Sequence, residues 1–449
     1  MPRRRQEDTV VQNSDNLIAD LIGGTQFKFI GQDGEEGKGS LSDKPKVETP
    51  VYALNDLLGG GLPLGAILEV FGPNAAGKSS MMYETLGNFQ KQYPNGVAFI
   101  IDSEASTDDS RLRQLGVDPA RAPRMGASSL EDGFEQIIKI LKKMVDNSAY
   151  KGFPVFILWD TIAATPTRAQ LNTGEMYGGG MAERARILKT SLTNVFTLIE
   201  KQNVLLVLLN QVMAEIGGWR PGLTSAGGNA LKHDVHMRLE VDGGRTDFDG
   251  VYATQKNSSL NISKSKVSPL MNGMPIIIDI TKGGVIDRGG SLLAWMMKVN
   301  PALFKQSQWW EIESWVYEKY KPYWSKFSGL YPRFRQARLW ELARGDQNFV
   351  DLLQLIWLDL ISERYVLQKE VCAKLRSEIE EKLMVNLQVS YEELNPPAES
   401  PEVPSVSAED LSALSGLFGG TETSAIEVNQ ETGEVTSTED GLEDDLPWN

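Results

Sequence analysis

The chain has 449 residues, of which 41% are hydrophobic and 23% are charged, values that are ordinary for a soluble globular protein. Its one cysteine, Cys372, excludes an internal disulfide and is typical of a reducing compartment. The apolar runs have the length of strands and not of membrane spans, and no apolar stretch follows the basic N-terminus as in a signal peptide. A soluble cytoplasmic protein that does not enter a membrane is therefore predicted.

The net charge of −15 is unevenly distributed. Residues 391–449 contain fifteen Asp and Glu and no Lys or Arg. Subtracting those fifteen from the 60 acidic residues of the chain leaves 45, equal to the 45 Lys and Arg. The rest of the chain is thus balanced and can present local basic patches, so nucleic acid is not excluded as a partner.

Composition divides the chain into four parts. Residues 1–50 are polar and Gly-rich and form an arm, whereas residues 51–288 alternate β-branched runs with helical patterns, which is typical of a parallel α/β sheet. Residues 289–390 carry Trp, Tyr and Leu at helical spacing and predict a small, mainly helical domain. Residues 391–449 are too polar to fold alone and predict a disordered acidic tail. Strands are predicted at 67–71, 97–101, 155–159 and 204–209, and an antiparallel extension at 235–241, 259–262 and 275–280.

Residues 72–79 match the phosphate-binding pattern G-x-x-x-x-G-K-[ST], between an apolar strand-like run and a helix-forming run. Glycines allow backbone N–H groups to face the phosphates, and the following helix directs its positive end at the same charge. Lys78 adds a cation, and the Ser79 hydroxyl is placed to bind Mg²⁺. This pattern predicts a nucleoside triphosphate site formed by Gly72, Pro73, Asn74, Ala75, Ala76, Gly77, Lys78, Ser79 and Ser80.

Three polar side chains follow other apolar strands. Asp160 ends one of them, where a carboxylate would hold Mg²⁺ through water. Glu104 lies just beyond another and can orient and deprotonate the water that attacks the γ-phosphate. Gln211 follows a third, where an amide can read the γ-phosphate without adding charge. Because open α/β sheets bind ligands at the carboxyl ends of their strands, these side chains are expected to meet at one site.

The motifs resemble those of the RecA family and, within it, most closely the UvsX-like phage recombinases. The segments that carry the resemblance follow the family's order between residues 52 and 287. They are LLGGGLPLG at 57–65, FIIDSE at 99–104, GGNALK at 227–232, SKSK at 263–266 and GGVID at 283–287.

The resemblance implies a RecA-type P-loop ATPase core with a mainly parallel twisted sheet. It also implies an ATP- and Mg²⁺-dependent helical filament on single-stranded DNA that pairs with homologous duplex DNA and exchanges strands. Residues 1–50 would then be a polymerisation arm. Lys264 and Lys266 would contact the γ-phosphate held by the next subunit, and Asp108 would contact adenine. Arg111 stands where the family usually has an aromatic ring near the base.

Two loops are expected to line the filament axis on the same analogy, at residues 165–180 and 212–225. The second follows Gln211, so movement of this side chain would couple nucleotide state to DNA affinity. A further cluster, Arg333, Arg335, Arg338 and Arg344, is either a duplex DNA contact or a solvated helix face. The DNA-binding residues expected are Arg184, Arg186, Trp219, Arg220, Gly227, Gly228 and Asn229.

Several alternatives remain open. The acidic tail is a solubilising segment, a tethered competitor for basic DNA sites, or a recruiter of partners, since its last residues resemble the end of single-stranded DNA-binding proteins. Single-stranded DNA-binding and mediator proteins are expected as partners of the protein. Rival functions are a RecA-fold ring helicase, which should carry an arginine finger where Lys264 and Lys266 stand, and a recombination mediator that uses ATP as a structural switch. His233 and His236 have no metal-ligand neighbours in sequence and are interpreted as structural.

Overall fold

The computed structural model describes residues 41–105, 107–150, 152–173, 180–200, 202–214, 223–225, 229–249, 252–267, 275–330, 333–362, 369–390, 394, 427–428 and 435–436. Two compact units are present, Met1–Leu394 and Asn395–Asn449. The first unit holds both the predicted α/β core and the predicted helical region. The described residues of the second unit form a hairpin of β14, Glu427–Val428, and β15, Val435–Thr436.

A nine-stranded sheet forms the centre of the first unit. Its strands are Ala66–Gly72 (β3), Val97–Asp102 (β4), Arg124–Met125 (β5), Val155–Asp160 (β6), Val204–Ala214 (β7), Leu223–Ser225 (β8), Met237–Asp249 (β9), Tyr252–Ser265 (β10) and Ile276–Thr281 (β11). The main path runs in the order β11-β10-β9-β3-β7-β6-β4-β5, and β8 pairs with β7 beside that path. From β9 to β5 each strand of the path is parallel to the next, whereas β10 is antiparallel to both β9 and β11.

Helices cover both faces of this sheet, as the alternation of apolar runs and helical patterns predicts. The helices of the α/β part are α1 (Tyr52–Leu57), α2 (Lys78–Gln92), α3 (Asp109–Gln114), α4 (Leu130–Asp146), α5 (Arg168–Thr173), α6 (Gly180–Ile199) and α7 (Asn229–Asp234). Alternate residues of β3 enter two separate cores: Leu68 packs with side chains of α2, and Ile67 packs with side chains of α4 and α6. This alternation is the period of two that places successive strand residues on opposite faces.

Helix α4 shows how the local sequence sets these elements. The Ser129 hydroxyl caps its first turn by accepting a hydrogen bond from the Asp132 N–H, and Glu131 and Asp132 place negative charge at its positive end. The Cβ of any residue replacing Gly133 would lie 2.2 Å from the Trp159 ring. Glycine at this position therefore allows α4 to approach β6 closely.

The mainly parallel sheet and the antiparallel extension that the sequence predicts are confirmed, with three differences in extent. Strand β7 continues to Ala214, so the predicted loop at 212–225 starts and ends as a β7–β8 hairpin. Helix α5 lies inside the predicted loop at 165–180. Within the predicted arm, β1 (Lys46–Val47) pairs with β2 (Leu62–Pro63), and Val47 is fully buried.

Helices dominate the described residues between β11 and residue 390. They are α8 (Arg288–Val299), α9 (Ser314–Trp324), α10 (Gln336–Gly345), α11 (Gln347–Ser362) and α12 (Lys369–Leu387), with a small hairpin of β12 (Phe304–Lys305) and β13 (Glu311–Ile312). Arg344 forms ion pairs with Asp287 at 3.1 Å and Asp279 at 3.6 Å, so it joins the helical region to the sheet. In the described part of the chain, no helix combines the length and apolar composition that crossing a bilayer requires.

The other arginines of the predicted cluster also contact acidic or aromatic side chains. Arg333 pairs with Glu311, and Arg338 pairs with Glu341 at 3.0 Å. Arg335 lies over the exposed ring of Trp309, 5.1 Å from its centre. Ion pairs at exposed positions contribute little to stability, so these contacts hold the arginine side chains only weakly.

Candidate nucleotide site

The phosphate-binding loop joins β3 to α2 and lies against the antiparallel extension. A Cβ at Gly72 would lie 1.8 Å from the Val241 carbonyl oxygen of β9. Gly77 has a φ of 101°, and a Cβ there would lie 2.4 Å from Ile280 Cδ1 of β11. The two glycines of the motif are thus required both for the path of the loop and for its close packing on neighbouring strands.

Lys78 is buried inside this loop. Its ammonium donates to the carbonyl oxygens of Gly72 at 2.9 Å and Pro73 at 2.7 Å, so the lysine lies across the loop that phosphates would enter. Burial lowers the pKa of the Lys78 ammonium, while the nearby carboxylates of Asp160 and Glu104 act in the opposite direction. A bound polyphosphate would place negative charge next to this buried ammonium and so favour its charged form.

Ser79 and Asp160 meet as the sequence predicts. The Ser79 hydroxyl hydrogen-bonds the Asp160 carboxylate, which ends β6. Burial raises the pKa of the Asp160 carboxyl to about 6, and the carboxylates of Glu104 and Asp102 act in the same direction. Oxygen donors from one carboxylate and one hydroxyl suit Mg²⁺, which keeps several waters and takes further ligands from substrate phosphates. The residues present therefore fit a Mg²⁺ ion at this position.

Glu104 and Gln211 also meet, from the ends of different strands. The Gln211 amide nitrogen lies 3.3 Å from Glu104 Oε1, which also accepts a hydrogen bond from the Thr161 hydroxyl at 3.1 Å. Both contacts use the same carboxylate oxygen, so neither engages Oε2. Glu104 is exposed, which leaves it accessible to water.

A buried polar network behind Gln211 was missed by sequence reasoning. Asn210 donates to Glu69 at 2.8 Å and accepts from the Gln211 backbone N–H at 2.9 Å. Glu69 also pairs with Arg238 at 2.5 Å, and the Arg238 guanidinium lies 4.3 Å from the centre of the Phe71 ring. The network holds β7, β3 and β9 together next to the phosphate loop. A charged residue inside an apolar strand such as β3 is the signal that could have revealed it, because buried charges need partners.

Lys264 and Lys266 lie at the end of β10, with different partners. Lys264 Nζ donates to the carbonyl oxygens of Lys232 at 3.0 Å and His233 at 2.7 Å, in the last turn of α7. Its cation therefore satisfies the free carbonyls at a helix C-terminus. Lys266 Nζ lies 5.0 Å from the centre of the Phe196 ring and is exposed.

His236 is structural, as the sequence suggests. Its ring stacks on Phe196 with 4.5 Å between centroids, and Nδ1 accepts a hydrogen bond from the Ile67 N–H at 3.0 Å. Burial lowers the pKa of this imidazole to about 4, and the cations of Lys266 and Lys264 add to the effect. The ring is consequently neutral in the folded protein at pH 7.

Acid is expected to destabilise the protein through His236. Its folded pKa of about 4 lies below the unfolded value of 6.5, so the unfolded state binds more protons between these values and stability falls as pH decreases. This residue accounts for a loss of about 2 kcal/mol in the free energy of unfolding between pH 7 and pH 5. Urea melts at both pH values should show a smaller difference for His236→Gln than for the natural sequence. The exposed His233→Gln is the control, and equal pH dependence in all three proteins would contradict the assignment.

The expected base-binding residues have other contacts. Asp108 caps α3 by accepting from the Arg111 N–H at 2.7 Å. The Arg111 guanidinium donates to the carbonyl oxygens of Gly283 at 2.7 Å and Gly284 at 2.8 Å, and reaches the Ser80 hydroxyl at 3.2 Å. Arg111 therefore joins α3 to the turn after β11 at the margin of the phosphate loop.

The expected DNA-binding residues are only partly described. Arg184 donates to the carbonyl oxygens of Thr165 and Ile162, and burial lowers the pKa of its guanidinium. Arg184 thus holds the chain that follows β6, whereas the sequence predicted a contact with DNA. Arg186 is exposed on α6, and Asn229 begins α7. Trp219, Arg220, Gly227 and Gly228 lie outside the described residues.

Lys256 of β10 is a second residue that sequence reasoning missed. Its Nζ donates to the carbonyl oxygen of Ala75, in the middle of the phosphate loop, at 2.7 Å. The two residues are far apart in sequence and no motif includes Lys256. The position of Lys256 beside the phosphate loop depends on how β10 pairs with β9.

Comparisons with known proteins agree with this geometry. Residues 35–285 match the family model of the RecA N-terminal domain. Protein RecA of Delftia acidovorans is 31% identical over 273 residues, which cover 60% of this chain and 70% of the relative. Protein RecA of Gluconobacter oxydans is 31% identical over 290 residues, covering 62% and 79%. The matched segment includes the phosphate loop, Glu104, Gln211 and the lysines of β10, and covers more than half of the chain. The chain belongs to the RecA family.

Proposed function

We propose that this protein is an ATP- and DNA-dependent recombinase, which forms helical filaments on single-stranded DNA and exchanges strands with homologous duplex DNA. The observation that carries the proposal is the contact between Glu104 and Gln211 beside the phosphate loop. The strand that ends its sheet pairing with β3 at Gln211 continues into the β7–β8 hairpin, whose tip falls in the predicted DNA-binding loop. The side chain that contacts the proposed base Glu104, and that would read the γ-phosphate, thus belongs to the element that would hold DNA.

Each residue at the site has a defined task in ATP hydrolysis. Lys78 and the loop N–H groups bind the β- and γ-phosphates, and Ser79 and Asp160 would hold Mg²⁺, which supplies charge neutralisation when bound. Glu104 orients and deprotonates the attacking water through its carboxylate. Gln211 senses whether the γ-phosphate is present. Loss of that phosphate ends the contact between Gln211 and the γ-phosphate, and the protein then leaves the state that binds DNA tightly.

Lys264 and Lys266 complete the site of the neighbouring subunit in this proposal. Two lysines at the end of one strand are suited to a γ-phosphate, since fixed cations stabilise the charge that develops there. Lys264 would leave the carbonyls of Lys232 and His233 when it reaches that phosphate. Because α7 directly follows the predicted DNA-binding loop, this exchange of partners would couple ATP on one subunit to the loop of the next.

Mixing two inactive variants is expected to restore activity if the active centre is shared between subunits. Lys78→Ala removes the phosphate-loop cation, and Lys264→Ala removes the cation supplied to the neighbour. In a random equimolar filament, about a quarter of the interfaces combine an intact loop with an intact Lys264, so about a quarter of the natural ATPase rate should return. Rates are measured on single-stranded DNA at fixed total protein. A mixture as inactive as its components would place all catalytic groups in one chain.

Other features are proposed more broadly. Residues 1–50 would act as a polymerisation arm, although residues 1–40 lie outside the described residues. Four features are proposed on sequence grounds: kinship with UvsX-like phage recombinases, a cytoplasmic location, binding to single-stranded DNA-binding and mediator proteins, and recruitment of partners by residues 391–449. Asp108 is proposed as a base contact that gives up its capping role.

ATPase and strand-exchange assays together test the proposal. We expect ATP hydrolysis to require single-stranded DNA, and exchange to occur with homologous but not heterologous duplex. A ring helicase would instead unwind a forked duplex regardless of homology, and a mediator would hydrolyse little ATP with or without DNA. Electron microscopy of the protein with an ATP analogue and single-stranded DNA should reveal helical filaments, and closed rings would contradict the proposal.

A further inference from the structure

The phosphate loop is held from outside by a lysine that belongs to another part of the sheet. Lys256 Nζ donates to the Ala75 carbonyl oxygen at 2.7 Å. Lys256 lies at an irregularity of the β9–β10 ladder, where the register shifts between Lys256 and Ser258. Such irregularities redirect side chains. Gly243, which pairs with Ser258 just beyond this irregularity, lies beside the lysine: a Cβ there would be at ordinary contact distance, 3.7 Å from Lys256 Nζ and 3.9 Å from Pro73 Cγ.

This contact determines the orientation of one peptide group in the loop. In a trans peptide the carbonyl of Ala75 and the N–H of Ala76 point in opposite directions. Lys256 holds the carbonyl, so the N–H of Ala76 faces away from β10. Ala75 has a φ of 57°, in the left-handed region that residues other than glycine rarely occupy. The hydrogen bond from Lys256 therefore stabilises a backbone conformation that the local sequence does not favour.

We propose that Lys256 is a positioning residue for nucleotide binding, which keeps the phosphate loop in the conformation that receives the polyphosphate of a nucleoside di- or triphosphate. It acts through the Ala75–Ala76 peptide and adds a second cation near the phosphates. Its charge also reaches Lys78, whose pKa it helps to lower. The inference rests on the proposed nucleotide binding and adds to it a residue that the motif does not contain.

The test compares Lys256→Met with a variant that loses the same kind of contact elsewhere. Lys298 Nζ donates to the Pro275 carbonyl oxygen at 2.5 Å, remote from the loop in sequence and on a different element, so Lys298→Met is the matched control. Titration with fluorescently labelled ADP and Mg²⁺ should give a dissociation constant about tenfold higher for Lys256→Met, since a charge-assisted hydrogen bond is lost. Lys256→Arg should restore affinity to within about threefold. Lys298→Met should bind like the natural protein.

Kinetics separate positioning from general structural support. A positioning contact that persists through hydrolysis contributes equally to the ground state and the transition state, so KM for ATP should rise while kcat changes little. Lys256→Gln replaces the methionine variant if the latter does not fold. Unchanged ADP affinity in a folded Lys256 variant, or an equal loss in Lys298→Met, would overturn the inference. Natural protein that binds labelled ADP but shows no DNA-dependent ATPase would contradict the recombinase proposal while leaving the Lys256 comparison valid.

Discussion

Replacing Lys78 with alanine is expected to abolish ATP turnover, with a fall in kcat of about a thousandfold. Lys78 is the cation inside the phosphate loop, where its ammonium now holds the Gly72 and Pro73 carbonyls. When phosphates enter, the same ammonium can neutralise charge that develops on the γ-phosphate during transfer. The measurement is steady-state ATPase on single-stranded DNA, with filament formation followed in parallel.

The thermal stability of Lys78→Ala distinguishes a loss of ATP turnover from misfolding. Burial lowers the pKa of Lys78, which means that the charged lysine destabilises the folded protein when no nucleotide is bound. Lys78→Ala should therefore unfold at a temperature no lower than the natural protein. The control is Lys91→Ala, at the exposed end of the same helix, which should retain full turnover. Residual turnover above a tenth of the natural rate would mean that Lys78 is not the main phosphate cation.

Replacing Glu104 should separate DNA binding from ATP hydrolysis. Glu104→Gln keeps the shape of the side chain and offers an amide oxygen in place of the carboxylate oxygen that Thr161 and Gln211 contact, but it cannot accept a proton from water. Hydrolysis should fall about a thousandfold, as removal of a general base predicts, while nucleotide and DNA binding remain. Filaments of Glu104→Gln and Glu104→Ala should then form normally and persist.

Disassembly rates provide the decisive measurement for Glu104. Filaments formed with ATP are challenged with excess competitor DNA, and the loss of bound protein is followed over time. The natural protein should dissociate as ATP is consumed, whereas both Glu104 variants should remain bound. Disassembly of either variant at the natural rate would show that another group activates the water. Comparison of the two variants also reports on the Gln211 contact, because alanine removes it and glutamine retains an oxygen there.

Much of the site follows from short stretches of sequence. The phosphate loop, the apolar strands and the polar residues that end them are local patterns, and parallel strands bring their carboxyl ends to one edge of a sheet. The meeting of Ser79 with Asp160 and of Glu104 with Gln211 could therefore be predicted without coordinates. The roles of these residues in catalysis, and of Lys264 and Lys266 across an interface, stay predictions.

What local patterns could not predict depends on contacts between distant strands. Lys256 reaches Ala75 only because of where the β9–β10 register shifts, and Asn210 joins Glu69 and Arg238 only because β7, β3 and β9 are neighbours. Arg184 was expected at DNA, yet its guanidinium turns to the carbonyls that follow β6. The spacing of apolar residues predicts the helices and strands, because each has its own period. The hydrogen-bond partner of a long polar side chain depends instead on which backbone or side-chain groups the folded sheet places within its reach, and these groups need partners when they are buried.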